Sequence, residues 1–146
     1  MRIETFEAAD RDDWLELWKA YLVFYKASLP DEVGEQAWQR MIADDGDIAG
    51  FKAVDDDGQM IGMVTYLFHG STWSAEPRCY LHDLYTVPQS RGRGTGRALI
   101  EAVYDAARQH GADQVYWLTQ EFNYTGRILY DKVAEKSPFI KYGHKL

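Results

Sequence analysis

The chain reads as an α/β fold in which helices cover a mixed sheet. Three observations carry this. Four segments repeat their apolar residues at three- to four-residue spacing, with short extended apolar runs between them, in the order β-α-α-β-β-β-α-β-α-β. Asp55-Asp56-Asp57-Gly58 separates two of those runs and signals a hairpin. One extended run, Tyr80 to Val87, enters a glycine-rich turn that leads into an amphipathic helix.

Each element follows from local pattern. Arg2 to Ala8 alternates as a first strand. Asp10 is placed to cap a helix, with Asp13 completing a weaker capping box. Trp14, Leu15, Trp18, Tyr21, Leu22 and Tyr25 form its apolar stripe, and Leu29-Pro30 ends it. This stripe belongs to the core, although one or two of its rings can also face a ligand. Asp31 opens a second helix, which buries Val33, Ala37, Trp38, Met41 and Ile42 and ends at Asp44-Asp45-Gly46. Ile48 to Val54 and Gln59 to Phe68 make the hairpin. After the irregular stretch His69 to Pro77 comes the central strand, Tyr80 to Val87. The helix Ala98 to His110 buries Leu99, Ala102, Val103 and Ala106 and stops at Gly111. Gln114 to Thr119 is a short buried strand. Asn123 to about Lys136 is the last helix, stopped by Pro138, and Phe139 to Tyr142 is expected as a final strand.

The turn itself, Arg91-Gly92-Arg93-Gly94-Thr95-Gly96-Arg97, carries the chemistry. Three glycines strip it of side chains, so backbone N–H groups can converge on an anion. The next helix aims its positive dipole end at the same point. The arginines add charge. A P-loop would need Gly-Lys-Ser/Thr, which is absent. A dinucleotide fingerprint would need G-x-G-x-x-G, but the spacing here is G-x-G-x-G and position 99 is Leu.

Arg-x-x-Gly-x-Gly between strand and helix resembles the acetyl-CoA loop of the GNAT acetyltransferase superfamily. Asn123-Tyr124-Thr125-Gly126-Arg127-Ile128-Leu129-Tyr130-Asp131-Lys132 resembles a second motif of that family. The stretch Tyr116 to Glu121 is similar to its HPA-type branch. Tyr80 to Tyr85 is similar to the spermidine/spermine acetyltransferases. The resemblance runs from residue 1 to about 142 and is strongest from Tyr80 onward. It implies a mostly antiparallel central sheet flanked by helices. It also implies an N-acetyltransferase using acetyl-CoA as co-substrate. The turn, residues Arg91, Gly92, Arg93, Gly94, Thr95, Gly96 and Arg97, would hold the pyrophosphate. Leu84, Tyr85 and Thr86 would run beside the pantetheine arm, and Asn123 and Lys132 would assist binding. Tyr130 would protonate the leaving thiolate. In the spermidine/spermine enzymes a Glu stands where this chain has His82, so His82 or Asp83 is the candidate base. Strand alternation sends these two to opposite faces, and one of them is expected to meet substrate. Glu121 is a further acidic candidate, read as a surface residue. Gly126 either packs against the cofactor or lies on an untuned surface. The chain departs from the family at Ser137-Pro138-Phe139, where a changed bend is expected.

Composition narrows the classes. The 146 residues suit one domain, 1–146, with one core. A net charge of −7 argues against nucleic acid as a partner. The charge is uneven: residues 1–90 hold 7 Lys/Arg and 17 Asp/Glu, whereas residues 91–146 hold 9 and 6. The basic half contains the phosphate turn, and the acidic half would draw a cationic amine. Acid surface also serves solubility. Cys79 is the only cysteine, which allows no internal disulfide and suits the cytoplasm. Cys79 is read as a small buried residue, so transfer is expected to be direct. No secretory leader, membrane span or metal-ligand spacing is read, so no metal and no membrane partner are expected. One strand after the last helix would leave an unpaired edge, hence a homodimer. A protein or histone lysine acetyltransferase and a non-catalytic CoA-binding module are the alternatives to a small-amine enzyme.

Overall fold

The computed structural model describes residues 1–146. The strands are β1 (Arg2–Thr5), β2 (Ala49–Val54), β3 (Met60–His69), β4 (Arg78–Thr86) and β5 (Gln114–Tyr116). The helices are α1 (Arg11–Phe24), α2 (Asp31–Ile42), α3 (Thr95–His110) and α4 (Tyr124–Val133). The five strands form one open sheet in sequential order. All pairings are antiparallel except β4 with β5, which is parallel and spans only Arg78–Tyr80 against Gln114–Tyr116.

Each face of the sheet has its own apolar layer. On one face α3 buries Leu99, Ile100 and Val103 against Ala53, Val64, Cys79 and Leu81, with Leu129, Tyr130 and Val133 of α4 at the margin. On the other face Trp14 and Leu17 of α1 and Trp38 of α2 pack on Met60, Met63 and Tyr85. Full burial of a side chain such as Leu99 or Ile100 stabilises the fold by about 1.5–3 kcal/mol. Strand pleating assigns the faces: Ala53 points to the α3 layer, while its neighbour Lys52 points to the α1 side. There the buried Lys52 ammonium donates to both oxygens of Asp10, at 2.7 and 2.6 Å. Asp10 therefore serves as an ion-pair partner and receives the Glu7 N–H at 2.7 Å. It makes no side-chain cap bond to α1, contrary to the capping box expected from Asp10 and Asp13.

The final strand is also corrected. Residues 139–142 lie outside any strand, so the element order ends in α4. The reason is physical. Pro138 has no N–H to give a ladder, and β5, at three residues, is too short an edge to recruit it. Phe139, Ile140 and Tyr142 consequently lie exposed.

The feature that shapes the site is a break in the β3–β4 ladder. Thr65 pairs with Asp83 but Tyr66 pairs with Leu81, which leaves His82 as an extra, bulged residue. Burial parity flips across it. Cys79 and Leu81 lie in the α3 layer before the bulge, and Tyr85 lies in the α1–α2 layer after it.

Candidate active site

Two consequences of the ladder build the site. First, β5 stops at Tyr116, so β4 beyond Tyr80 has no strand on that side. Val87 N–H donates to Ile61 O at 3.0 Å on β3. The two-residue alternation of an antiparallel ladder then turns the Tyr85 N–H to β3 as well. The N–H groups of Leu84 and Thr86 are left on the open edge. Leu84, whose side chain lines the cleft, thus also offers a free backbone donor beside it, whereas Tyr85 does not. Second, the bulge brings His82 and Asp83 together although they are adjacent in the strand.

A cleft of about 290 Å³ opens beside this edge. His82, Leu84 and Tyr80 line it from β4, Tyr21 and Tyr25 from α1, and Tyr130 from α4. Trp117, Thr119 and Gln120 come from the segment after β5, and Lys141 comes from the C-terminal tail. The α1 stripe thus divides its labour: Trp14 is core, while Tyr21 and Tyr25 reach the cleft.

His82 faces the cleft and Asp83 stands behind it. Asp83 is 7% exposed, while the His82 side chain is half exposed. Asp83 Oδ2 lies 3.2 Å from His82 Nδ1 and accepts a 2.5 Å bond from the Thr65 hydroxyl. Burial pushes the Asp83 carboxyl up, but the His82 imidazole and the Thr65 hydroxyl, with the Tyr21 phenol close by, together outweigh it and hold the group below its usual range. The Asp83 hydrogen bond in turn raises the His82 imidazole above its ordinary value, against burial and the nearby Lys141 charge. With Nδ1 committed to Asp83, the Nε2 atom has no protein partner and remains available. Tyr130 packs edge-on to Trp117 at 5.5 Å, and burial pushes its phenol up to about 12. It therefore carries its proton throughout the neutral range.

The glycine turn lies at the far end of the open edge. Gly92 and Gly94 have φ of +74° and +86°, and a Cβ built on either would meet nothing within 4 Å. Gly94 precedes α3, whose first backbone N–H groups receive no side-chain cap. This is an open concavity of backbone donors at a helix start, which fits a pyrophosphate. The arginines around it are not equivalent. Arg91 folds back, its Nε donating to Thr86 O at 3.3 Å and its guanidinium lying over the rings of Phe24 and Tyr85. Arg93 is exposed. Arg97 lies 3.9 Å from Glu101 and, with Lys132, lines a second recess on the outer side of α3 and α4. Thr95 is buried, its hydroxyl 3.4 Å from Ser90 O.

Asn123 caps α4 by accepting the Gly126 N–H at 3.2 Å. The need for glycine at 126 follows: a Cβ there would lie 2.6 Å from Asn123 Nδ2, so the position is fitted to the cap. Glu121 is exposed and contributes its carbonyl to Arg127. Cys79 is fully buried, with its thiol pushed up to about 11 by burial, which leaves it inert as a nucleophile. Lys141 carries no signal of its own in the sequence, where it sits in a segment of strand composition; only the long-range path of the tail brings it to the cleft.

The acetyltransferase (GNAT) family matches residues 8–134. The D-amino-acid N-acetyltransferase HPA3 of Saccharomyces cerevisiae is 37% identical over 141 residues, covering 96% of this chain and 88% of the yeast protein. Thialysine N-epsilon-acetyltransferase of Mus musculus is 34% identical over 71 residues, 49% of this chain and 41% of its own length. Among solved structures, AAC(6')-Iy in complex with the bisubstrate analog CoA-S-monomethyl-acetylneamine superposes with a TM-score of 0.85 at 20% identity, covering 99% of this chain and 97% of that one.

Proposed function

Since the chain belongs to the acetyltransferase (GNAT) family, we propose that residues 1–146 act as a single domain that moves the acetyl group of acetyl-CoA directly to a small primary amine. The observation that carries this reading is the open β4 edge. It has a glycine-stripped anion cradle at one end and a cleft holding both His82 and Tyr130 at the other. Acetyl-CoA supplies the thioester-activated acetyl group. Gly92, Gly94 and the first turn of α3 hold its pyrophosphate, with Arg93 and Arg97 adding charge. Lys132, beside Arg97, reaches the outer part of the same ligand.

The chain's own residues then divide the proton work. His82 Nε2 takes the proton that the attacking ammonium must lose, and Asp83 keeps the imidazole oriented and basic. The Leu84 N–H donates to the thioester oxygen as negative charge develops there. Tyr130 gives its proton to the departing sulfur. Two such groups facing one cleft support an enzyme over a passive CoA-binding module.

The acceptor is read as small and cationic. The relatives' names specify D-amino acids and thialysine, both small amines. The acidic half of the chain favours the approach of positive charge. A homodimer in the cytoplasm is the setting proposed, from the unpaired tail and the single cysteine. No helix is long and apolar enough to cross a membrane.

The test is turnover of acetyl-CoA across a panel of polyamines, diamino compounds and amino acids. Consumption with small cationic amines is expected. No thermal stabilisation by millimolar acetyl-CoA and no turnover with any amine would defeat the reading.

A further inference from the structure

The lining of the cleft has an unbalanced charge. None of its thirteen residues is Asp or Glu. Asp83, the carboxylate behind it, is buried and committed to His82 and Thr65. Lys141 therefore brings a positive charge into the cleft with no carboxylate lining it. It makes no ion pair or hydrogen bond with any other residue of the chain, and of the titratable groups that share the cleft with it (His82, Tyr21, Tyr25, Tyr80 and Tyr130) His82 feels its charge. An acceptor that is only a cation would meet Lys141 as a like charge. An acceptor that also carries an anion would satisfy it, and a charge-assisted bond of that kind is among the stronger polar contacts.

We propose that the acceptor is an amino acid, and that Lys141 binds its carboxylate while the amine is presented to His82. Lys141 is then a specificity-determining residue supplied by the irregular tail. The irregular tail itself carries Lys141 to the cleft, passing Trp73, whose largely exposed ring stands edge-on to the equally exposed Phe139 at 6.3 Å. The two electrostatic influences act at different ranges. The acidic half favours arrival of positively charged molecules, and Lys141 selects among them at contact. Diamino acids of the lysine type meet both requirements, whereas the corresponding diamines meet only the first.

This inference rests on the acetyltransferase reading of the cleft, and the experiment separates the two. Steady-state rates are measured with lysine in both hands, lysine amide and cadaverine. The parent enzyme should show a KM for at least one hand of lysine about tenfold or more below those of its amide and of cadaverine. In Lys141→Ala the KM for lysine should rise by a similar factor with kcat little changed, so that the preference for lysine over cadaverine collapses. Lys141→Arg should restore it, and Lys141→Glu should reverse it. Lys141 is exposed and outside every helix and strand, so these variants are expected to fold, as circular dichroism would verify. Turnover of cadaverine at the same or lower KM than lysine in the parent would overturn the carboxylate anchor while leaving acetyl transfer standing. An equal rise in KM for lysine and cadaverine in Lys141→Ala would also overturn it. Absence of turnover with all of them would strike the underlying reading instead.

Discussion

At the scale of single residues, His82, Asp83 and Tyr130 can be told apart by what each removal does. A base must be neutral, so activity should fall as pH drops through the His82 pKa, which Asp83 holds above about 6.5. His82→Gln should lose that acid limb, and an unchanged limb would clear His82 of the role. Asp83→Asn should instead move the limb to lower pH, because the imidazole loses its anionic partner. The same variant should cost about 1–3 kcal/mol of stability at neutral pH, as a buried network loses its charge-assisted bonds. The sign of its pH dependence is fixed. A carboxyl depressed in the folded state contributes above its unfolded value of about 3.9, and the contribution is lost as pH falls through the folded value. Urea unfolding at several pH values would show parent and variant converging in acid. Tyr130→Phe should leave acetyl-CoA affinity nearly intact and lower kcat by about 10²–10⁴-fold. The identities of these residues were legible in the sequence. The contact between His82 and Asp83 was not. Simple alternation parts them, and the extra residue that joins them is set by pairing with Thr65, 18 positions away from Asp83.

At the scale of elements, what could be read was what local geometry decides. The glycines mark a turn stripped of side chains, and Gly92 and Gly94 adopt positive φ within it. Gly94→Val should cost at least about 1–2 kcal/mol through left-handed strain. The added side chain would enter space that is free of protein, so its larger effect should be on CoA binding. Calorimetric titration with acetyl-CoA should show strong heat in the parent and little in the variant. The cap of α4 is a local device too, and Asn123→Ala should lower stability by about 1 kcal/mol in thermal melts. Elements that depend on a neighbour were misread. Phe139 to Tyr142 has strand composition but meets no receptive edge, and β5 is half the length its apolar run suggested because Trp117 turns away to line the cleft.

At the scale of the whole molecule, charge and assembly each carry an expectation. The acidic half of the chain should give cationic acceptors a kcat/KM advantage that shrinks with added salt, since fields are screened beyond about 8 Å at physiological ionic strength. A salt-independent preference would assign the selectivity to contacts alone. Static light scattering at tens of micromolar should give a dimeric mass, because exposed Phe139, Ile140 and Tyr142 leave an apolar tail without cover. One feature of the fold also makes the enzyme its own reporter. Trp14 stacks on Trp18 at 5.6 Å, Trp18 on Tyr21 at 5.5 Å, and Tyr21 meets Tyr25 at 5.0 Å, so a column of chromophores runs from the core to the wall of the cleft. Trp117 completes the array on the opposite wall. Near-ultraviolet dichroism and intrinsic emission should therefore change when the acceptor enters, which gives an optical titration without a label. Emission from Trp18→Phe and Trp117→Phe would tell which wall the ligand touches.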